Sequence, residues 1–408
     1  MNKSIAFIIC VFQLQFVCAQ TTFPQIVDSS FSKNVLSFQG NIDITSSSFR
    51  KEMVNSLLFG GEISEEMKNR SLKSHHAVNR VGVYAIGELN YVAGKQELIK
   101  KGGYTWQVKA GYYAIGNMNY SKDAYRLLFY GNSHLSNDTA DFSNLKLNFV
   151  QFQKIGFGLF HKKSGSSLTL NLVSVQNQFD GRLRKGLWTQ TPSGDQISTE
   201  LHGTFGASQS KAFMKGIGFS FDFDYNFQVP WGKDSTTFQL SLQNVGAAYM
   251  LIPQTIYSAQ STFQYNGFTL NQIKNSSNIL GGDFSVLDTL GITKSEKNKW
   301  ILLPMQFQLA KLIELDNAKK VQSFFGVKFY PTIAVIPSIF AGIYYRFVPA
   351  FSVSANICYG GSSILRGGLF FNYHYKNITA QLGTVDVYGL VSRKGFGQSA
   401  LIRLSWRF

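Results

Sequence analysis

An all-β fold, specifically a transmembrane antiparallel β-barrel of about 14 strands (range about 12–16) with short helical segments in its loops, is what this sequence predicts. Three observations point there. Gly216–Val229 reads GIGFSFDFDYNFQV, with a large apolar residue at every second position from Ile217 and a small or polar one between. Aromatic residues make up 15% of the chain, while charged residues are also only 15%, well under the roughly 25% of ordinary soluble domains. Beyond the first nineteen residues, no apolar run is long enough for a spanning helix.

Residues 1–19 read as a secretory signal peptide. Lys3 precedes an apolar core that closes on Val17-Cys18-Ala19, a flank small enough for cleavage before Gln20. Residues 20–408 then form one outer-membrane β-barrel domain, placed in the bacterial outer membrane. Cys10 and Cys18 leave with the leader, so Cys358 remains alone and no intramolecular disulfide forms. The formal charge is +16. Its lysines and arginines are scattered among aromatic strands and do not gather on a helix face, so nucleic acid is not a partner.

Sixteen candidate strands follow in order: 35–45, 81–93, 104–116, 146–161, 167–178, 196–206, 215–229, 236–246, 255–266, 301–314, 320–331, 338–347, 350–358, 365–375, 377–385 and 399–408. Most have the roughly 9–11 residues a tilted spanning strand needs. Fourteen is the preferred count, with one or two candidates pairing outside the barrel. A sandwich would turn the Ser, Asn, Gln and Gly face to water, where Lys and Glu are expected. A closed barrel instead sets the apolar face against lipid and satisfies every backbone group in hydrocarbon. Ile217, Phe219, Phe221, Phe223 and Phe227 are therefore expected to face lipid. So are Ile402, Leu404, Trp406 and Phe408 of the last strand. Asp222, Asp224, Asn226, His374 and Arg403 are expected to face the lumen.

With the last strand ending in the periplasm, connections 94–103, 162–166, 207–215, 245–254, 314–319, 346–350 and 375–377 are periplasmic and short. Residues 46–80, 117–145, 179–195, 267–300 and 386–398 are the long outer loops. Residues 46–80 read as two helical pieces broken at Gly60-Gly61, and 121–130 as another capped by Ser121 and stopped at Gly131. These helices are expected to plug the lumen or cap its mouth. Trp406 and Phe408 end an alternating strand in the manner of the signal read by barrel-assembly machinery.

No chemistry-bearing constellation stands out. His75 and His76 are adjacent and unframed by cysteine or paired carboxylates, so no metal or cofactor is expected. The serines and histidines offer no privileged pair, and the chain is not expected to be an enzyme. Gly360-Gly361 and Gly367-Gly368 flank strands without a phosphate-binding helix and read as turns or bulges.

Three segments carry a resemblance. They are ADFSNLKLNFVQFQKIGFGLFHKK, SLTLNLVSVQNQFDGRLRKGLWTQTPSGDQISTELHG and FQLSLQNVGAAYM. They resemble a family of Bacteroidota outer-membrane barrels known as a domain of unknown function. That family is similar in build to long-chain fatty-acid transporter barrels and to membrane proteins of the type IX secretion and gliding system. The resemblance covers about residues 30–408. It lacks the Asn-Pro-Ala motif that those relatives carry near the mature N-terminus. The lipid-facing alternation and the plug-like helices point to passage or binding of a hydrophobic or anionic solute or lipid, whereas the resemblance points to an accessory role in secretion with a filled lumen. The expected partners are outer-membrane lipid, lipopolysaccharide or an anionic solute from the net positive charge, the assembly machinery from the last strand, and secretion-system proteins from the resemblance.

Overall fold

Strict alternation gives each segment two unlike faces, and in the computed structural model this closes fourteen of them into one antiparallel barrel. The structure describes residues 26–27, 32–99, 102–132, 138–192, 196–208, 210–232, 234–265, 291–315, 319–333 and 335–408. The expected leader, 1–19, and most of loop 267–300 lie outside these.

The staves in chain order are β1 (Val35–Ser46), β2 (Asn79–Val92), β3 (Tyr104–Tyr120), β4 (Leu145–His161), β5 (Ser167–Gln190), β6 (Gly216–Trp231) and β7 (Asp234–Met250). They continue as β8 (Gln306–Lys311), β9 (Val321–Phe329), β10 (Ile336–Val348), β11 (Phe351–Gly361), β12 (Leu365–Tyr375), β13 (Ile378–Thr384) and β14 (Gly397–Arg407). Each pairs with the next, and β1 closes on β14 from Val35–Arg407 to Thr45–Gly397. Asn34 and Phe408 meet at what we call the lower end.

Two candidate strands stay out of the ring. β5 forks: residues 167–175 pair with β6, but residues 179–190 leave with the strand Ile197–Ala207. That strand pairs with Gln254–Tyr265, which pairs with Ile292–Lys297, making a flap above the wall. The segments read as 196–206 and 255–266 are these flap strands. With them outside, β6 runs downward, and the connections 207–215 and 245–254 belong to the upper end, not the lower. The tight lower turn in that region is Gly232, between β6 and β7. The remaining short connections lie at the lower end as expected.

The helices form where their caps dictate. α1 (Lys51–Phe59) ends at Gly60, with φ +80°. α2 (Glu65–Leu72) starts on Ser64, whose Oγ accepts from Met67 N. α3 (Lys122–Tyr130) starts on Ser121, whose Oγ accepts from Ala124 N. α4 (Val387–Val391) starts on Asp386. α1–α3 do not enter the lumen. They cluster through Phe49, Met53 and Tyr125 against Ile44, Val83, Met118 and Tyr120, which point outward from the upper wall of β1–β3. The cap therefore sits on the barrel's outer flank, because its apolar side finds outward-facing apolar residues there.

The outward surface is apolar, with Phe219 69% exposed. An aromatic belt lies at the lower end: Trp406 packs at a tilt against Phe408 at 4.7 Å, Tyr91 against Trp106 at 5.3 Å and Trp231 against Phe325 at 5.7 Å. An upper pair, Tyr249–Trp300, lies at 5.3 Å. Phe238 and Tyr249 on β7 lie ten ladder steps apart once the bulge between Leu242 and Val245 is discounted, about 25 Å along the axis for a rise of ~3.3 Å per residue and a tilt near 40°.

Candidate functional site

The interior is the first place to look for chemistry, since the wall turns its polar residues there. Asp222 on β6 is 1% exposed. Both its oxygens accept from Lys154 Nζ of β4, at 2.8 and 2.7 Å. The same ammonium donates to Asn244 Oδ1 at 2.7 Å, and Asn244 N donates to Asp222 Oδ1 at 2.9 Å. Asn244 sits at a bulge in β7 with φ +57°, a conformation asparagine tolerates, and the extra residue aims it inward. Lys154 also lies 4.7 Å above the Tyr113 ring.

Asp224, two residues on, receives Ser241 Oγ at 2.6 Å and Gln243 Nε2 at 3.1 Å, with Lys109 Nζ at 3.7 Å. Asn226 donates to Ser164 O at 2.9 Å and accepts from Gln239 at 3.0 Å. Tyr113 Oη donates to Glu88. Arg403 donates to Gln39 at 2.9 Å. His374 Nδ1 pairs with Thr379 Oγ1 at 2.9 Å near the lower rim, where Arg407 reaches the same hydroxyl at 3.3 Å. All five residues expected to face the lumen thus point inward. They do not form one site: the first three join a network on β3–β7, while His374 and Arg403 make local bonds on β12–β14 and β1. Sequence reasoning missed Lys154 and Lys109, as well as the buried Arg366–Asp43 pair. Lysine at an inward alternation position was the available signal.

Higher up, the interior is not polar, contrary to the expectation of a lumen lined by small polar groups. Ile115, Phe152, Val175, Met250, Leu303 and Tyr330 form a buried apolar core inside the barrel. Tyr113 stacks on Phe152 at 4.9 Å. Tyr84 of β2 meets Tyr330, just past β9, at 5.7 Å. β2 and β9 stand on opposite sides of a fourteen-stranded ring, so this contact bridges the lumen. Phe324 and Phe370 also point inward and are buried. Large residues appear at inward positions because the lumen is packed at this level, as in a protein core.

Of the nine residues expected to face lipid, Ile217, Phe219, Ile402, Leu404, Trp406 and Phe408 are outward and exposed. Phe221, Phe223 and Phe227 are outward and half-buried by their neighbours; Tyr225 stacks between the last two, at 6.2 and 5.7 Å.

The outward surface departs from this pattern over β2–β6. A groove of about 590 Å³ runs over β2–β6, lined among others by Leu89, Ala110, Ile155 and Leu172 below and by Tyr112, Gln153, Ser174 and Met214 above. These are neighbouring rows of the ladder: Leu89–Ala110–Ile155–Leu172 and, one step up, Gly87–Tyr112–Gln153–Ser174. The lower row is apolar and the upper row is largely polar.

In the cap, outside the wall, His75 is 5% exposed. Its Nδ1 donates to Ser71 O at 2.7 Å, and Nε2 accepts from Tyr120 Oη at 3.0 Å. Burial lowers its pKa to about 4, which keeps the ring neutral. Among the described residues, no three or more His, Cys, Asp or Glu side chains come together as a metal site.

No curated protein matches the chain. Among solved structures, it is similar to a TodX deltaS2S3 mutant monoaromatic hydrocarbon channel, at 9% identity and TM-score 0.44, covering 97% of this chain and 98% of that one. It is similar to the Pseudomonas putida toluene transporter TodX at 10% identity and TM-score 0.38, covering 91% and 87%. It is similar to a Pseudomonas aeruginosa FadL homologue at 9% identity and TM-score 0.38, covering 92% and 90%. Residues 25–384 match the profile described as Family of unknown function (DUF5723), and the chain belongs to that family.

Proposed function

We propose that the protein is a bacterial outer-membrane barrel that binds or passes a solute or lipid, with its lumen held shut in the conformation described above. The membrane placement is supported by the apolar outward surface and its aromatic belt, whose spacing suits the apolar band of such barrels, about 25 Å tall. The closed lumen rests on one observation, the Tyr84–Tyr330 contact across the ring. Passage then requires the apolar core to rearrange, and a hydrophobic or anionic solute suits that core and the inward lysines.

Purified protein in planar bilayers tests this. Wild type is expected to show little steady conductance, and the pair Tyr84→Gly with Tyr330→Gly is expected to open stepwise channels. Porin-like conductance from wild type would overturn the closed lumen. Recovery of the protein in the aqueous fraction after alkaline washing of membranes would overturn the membrane placement.

The second reading is an accessory barrel of a secretion or gliding machinery with a permanently filled lumen. The same cross-lumen packing favours it. A stable envelope partner on pull-down, with no uptake into liposomes and no bound lipid, would decide for it.

A further inference from the structure

The groove on the outer flank of β2–β6 contains polar groups that a lipid-facing wall does not ordinarily carry. Tyr112 lies about 15 Å above Trp106 of the lower belt, for a rise of ~3.3 Å per residue and a tilt near 40°, which puts it well inside the apolar band. Around it runs a chain of outward side chains. Gln151 Nε2 donates to Tyr112 Oη at 2.9 Å, and Asn177 Nδ2 donates to Gln151 Oε1 at 2.6 Å. Lys215 Nζ then donates to Asn177 Oδ1 at 2.6 Å.

The local fold explains why the chain forms. The β4–β5 ladder carries a bulge between Gln151 and Phe152, opposite residues 175–177. It lies just below the fork where β5 leaves β6, and Lys215 occupies the crotch, its N–H bonded to Val175 O at 2.8 Å.

Two features of this cluster are incomplete. Lys215 is 5% exposed, yet no carboxylate among the described residues pairs with it, and Asn177 is the acceptor its ammonium has. A buried cation without a counter-charge is unfavourable unless an anion joins it. Gln176, in the bulge, donates to Ser174 Oγ of the groove at 3.2 Å, while its Oε1 is buried without a hydrogen-bond partner. A donor is wanted there. Below both, Ile155, Leu172 and Leu89 give an aliphatic floor, and the volume lies within the ~300–1,000 Å³ of small-molecule sites.

We propose that this groove binds an anionic phospholipid of the surrounding leaflet. Its phosphate pairs with Lys215, a head-group hydroxyl donates to Gln176, and an acyl chain lies along Ile155 and Leu172. The inference rests on the membrane placement proposed above and deepens it by naming a ligand class and a site on the wall, separate from the lumen.

The test uses the full chain in nanodiscs of phosphatidylcholine with a minor fraction of phosphatidylglycerol, followed by release into detergent and native mass spectrometry. Wild type is expected to retain phosphatidylglycerol over phosphatidylcholine. Lys215→Gln is expected to lower that preference about tenfold, as loss of a charge-assisted contact does. Leu172→Trp, which fills the floor while keeping the cation, is expected to reduce retention of both lipids. Equal retention of the two lipids by wild type, or an unchanged preference in Lys215→Gln, would overturn the proposal. So would a dimer that Lys215→Gln dissociates, since a second copy would then be the occupant. A protein that fails to enter nanodiscs at all would instead sink the membrane placement.

Discussion

Lys154 and Asp222 are both fully enclosed, and each makes the other tolerable. Removing one partner leaves an unpaired charge in the barrel interior, which costs about 3–5 kcal/mol, whereas removing both together costs less. Lys154→Met is expected to lower the urea midpoint of the detergent-folded barrel sharply. The pair Lys154→Met with Asp222→Leu is expected to recover most of it, read by heat-modifiable migration on gels. His75 gives a second residue-scale prediction. An unfolded histidine takes up its proton near pH 6.5, but the buried ring does so only near pH 4. Between those values the unfolded state binds more protons, so cap stability falls as pH drops through that window and is flat above it. Amide exchange of α1–α3 across pH 4–7 should show this, and His75→Phe should remove it. The inward position of Asp222 was legible in GIGFSFDFDYNFQV, because alternation reports the face a residue takes. Its partner was not legible. Lys154 lies 68 positions away, and only the register of β4, β5 and β6 brings the two together.

At the scale of elements, the ends of α1–α3 were legible, while α4, inside the segment read as loop 386–398, and the strand neighbours were less so. Gly60, Ser121 and Gly131 carry local chemistry that starts and stops a helix wherever the rest of the chain goes. Ser121→Ala removes the oxygen that accepts from Ala124 N and is expected to destabilise α3 by about 1 kcal/mol, seen as faster amide exchange in its first turn. Which surface those helices cover was not legible, because an apolar helix face pairs equally well with the inside or the outside of a wall. The fork in β5 was hidden for a related reason. Residues 196–206 and 255–266 alternate as the barrel strands do, and alternation alone does not say which edge a strand joins. The parity of the loops around β6 went wrong with them. The polar groove on β2–β6 depends on the same fork and bulge, so no window of sequence could have drawn it.

For the whole molecule, alternation offered up to sixteen staves, and fourteen was preferred on the expectation that one or two pair outside the ring, as two of them do. The packed lumen did not follow. Inward phenylalanines and tyrosines look, in sequence, like defects in a polar face until the opposite wall is known. Trp406 and Phe408 belong to the outward belt at the lower end. Replacing both with alanine is expected to reduce assembly in cells while leaving urea refolding into micelles nearly unchanged, which pulse-chase protease protection and in-vitro refolding would separate.

The seam between β1 and β14 joins the first stave to the fourteenth across more than 350 positions, with eleven register pairs from Val35–Arg407 to Thr45–Gly397. Until Gly397–Arg407 emerge, every preceding stave belongs to an open sheet with two unsatisfied edges and a greasy back. A half-made chain is therefore expected to be sticky in water, which light scattering of a truncation ending before Gly397 would show against the full chain. Nicking the polypeptide in an upper loop after closure, by contrast, should leave the ring intact, since the hoop is held by its ladder and not by the order of its links.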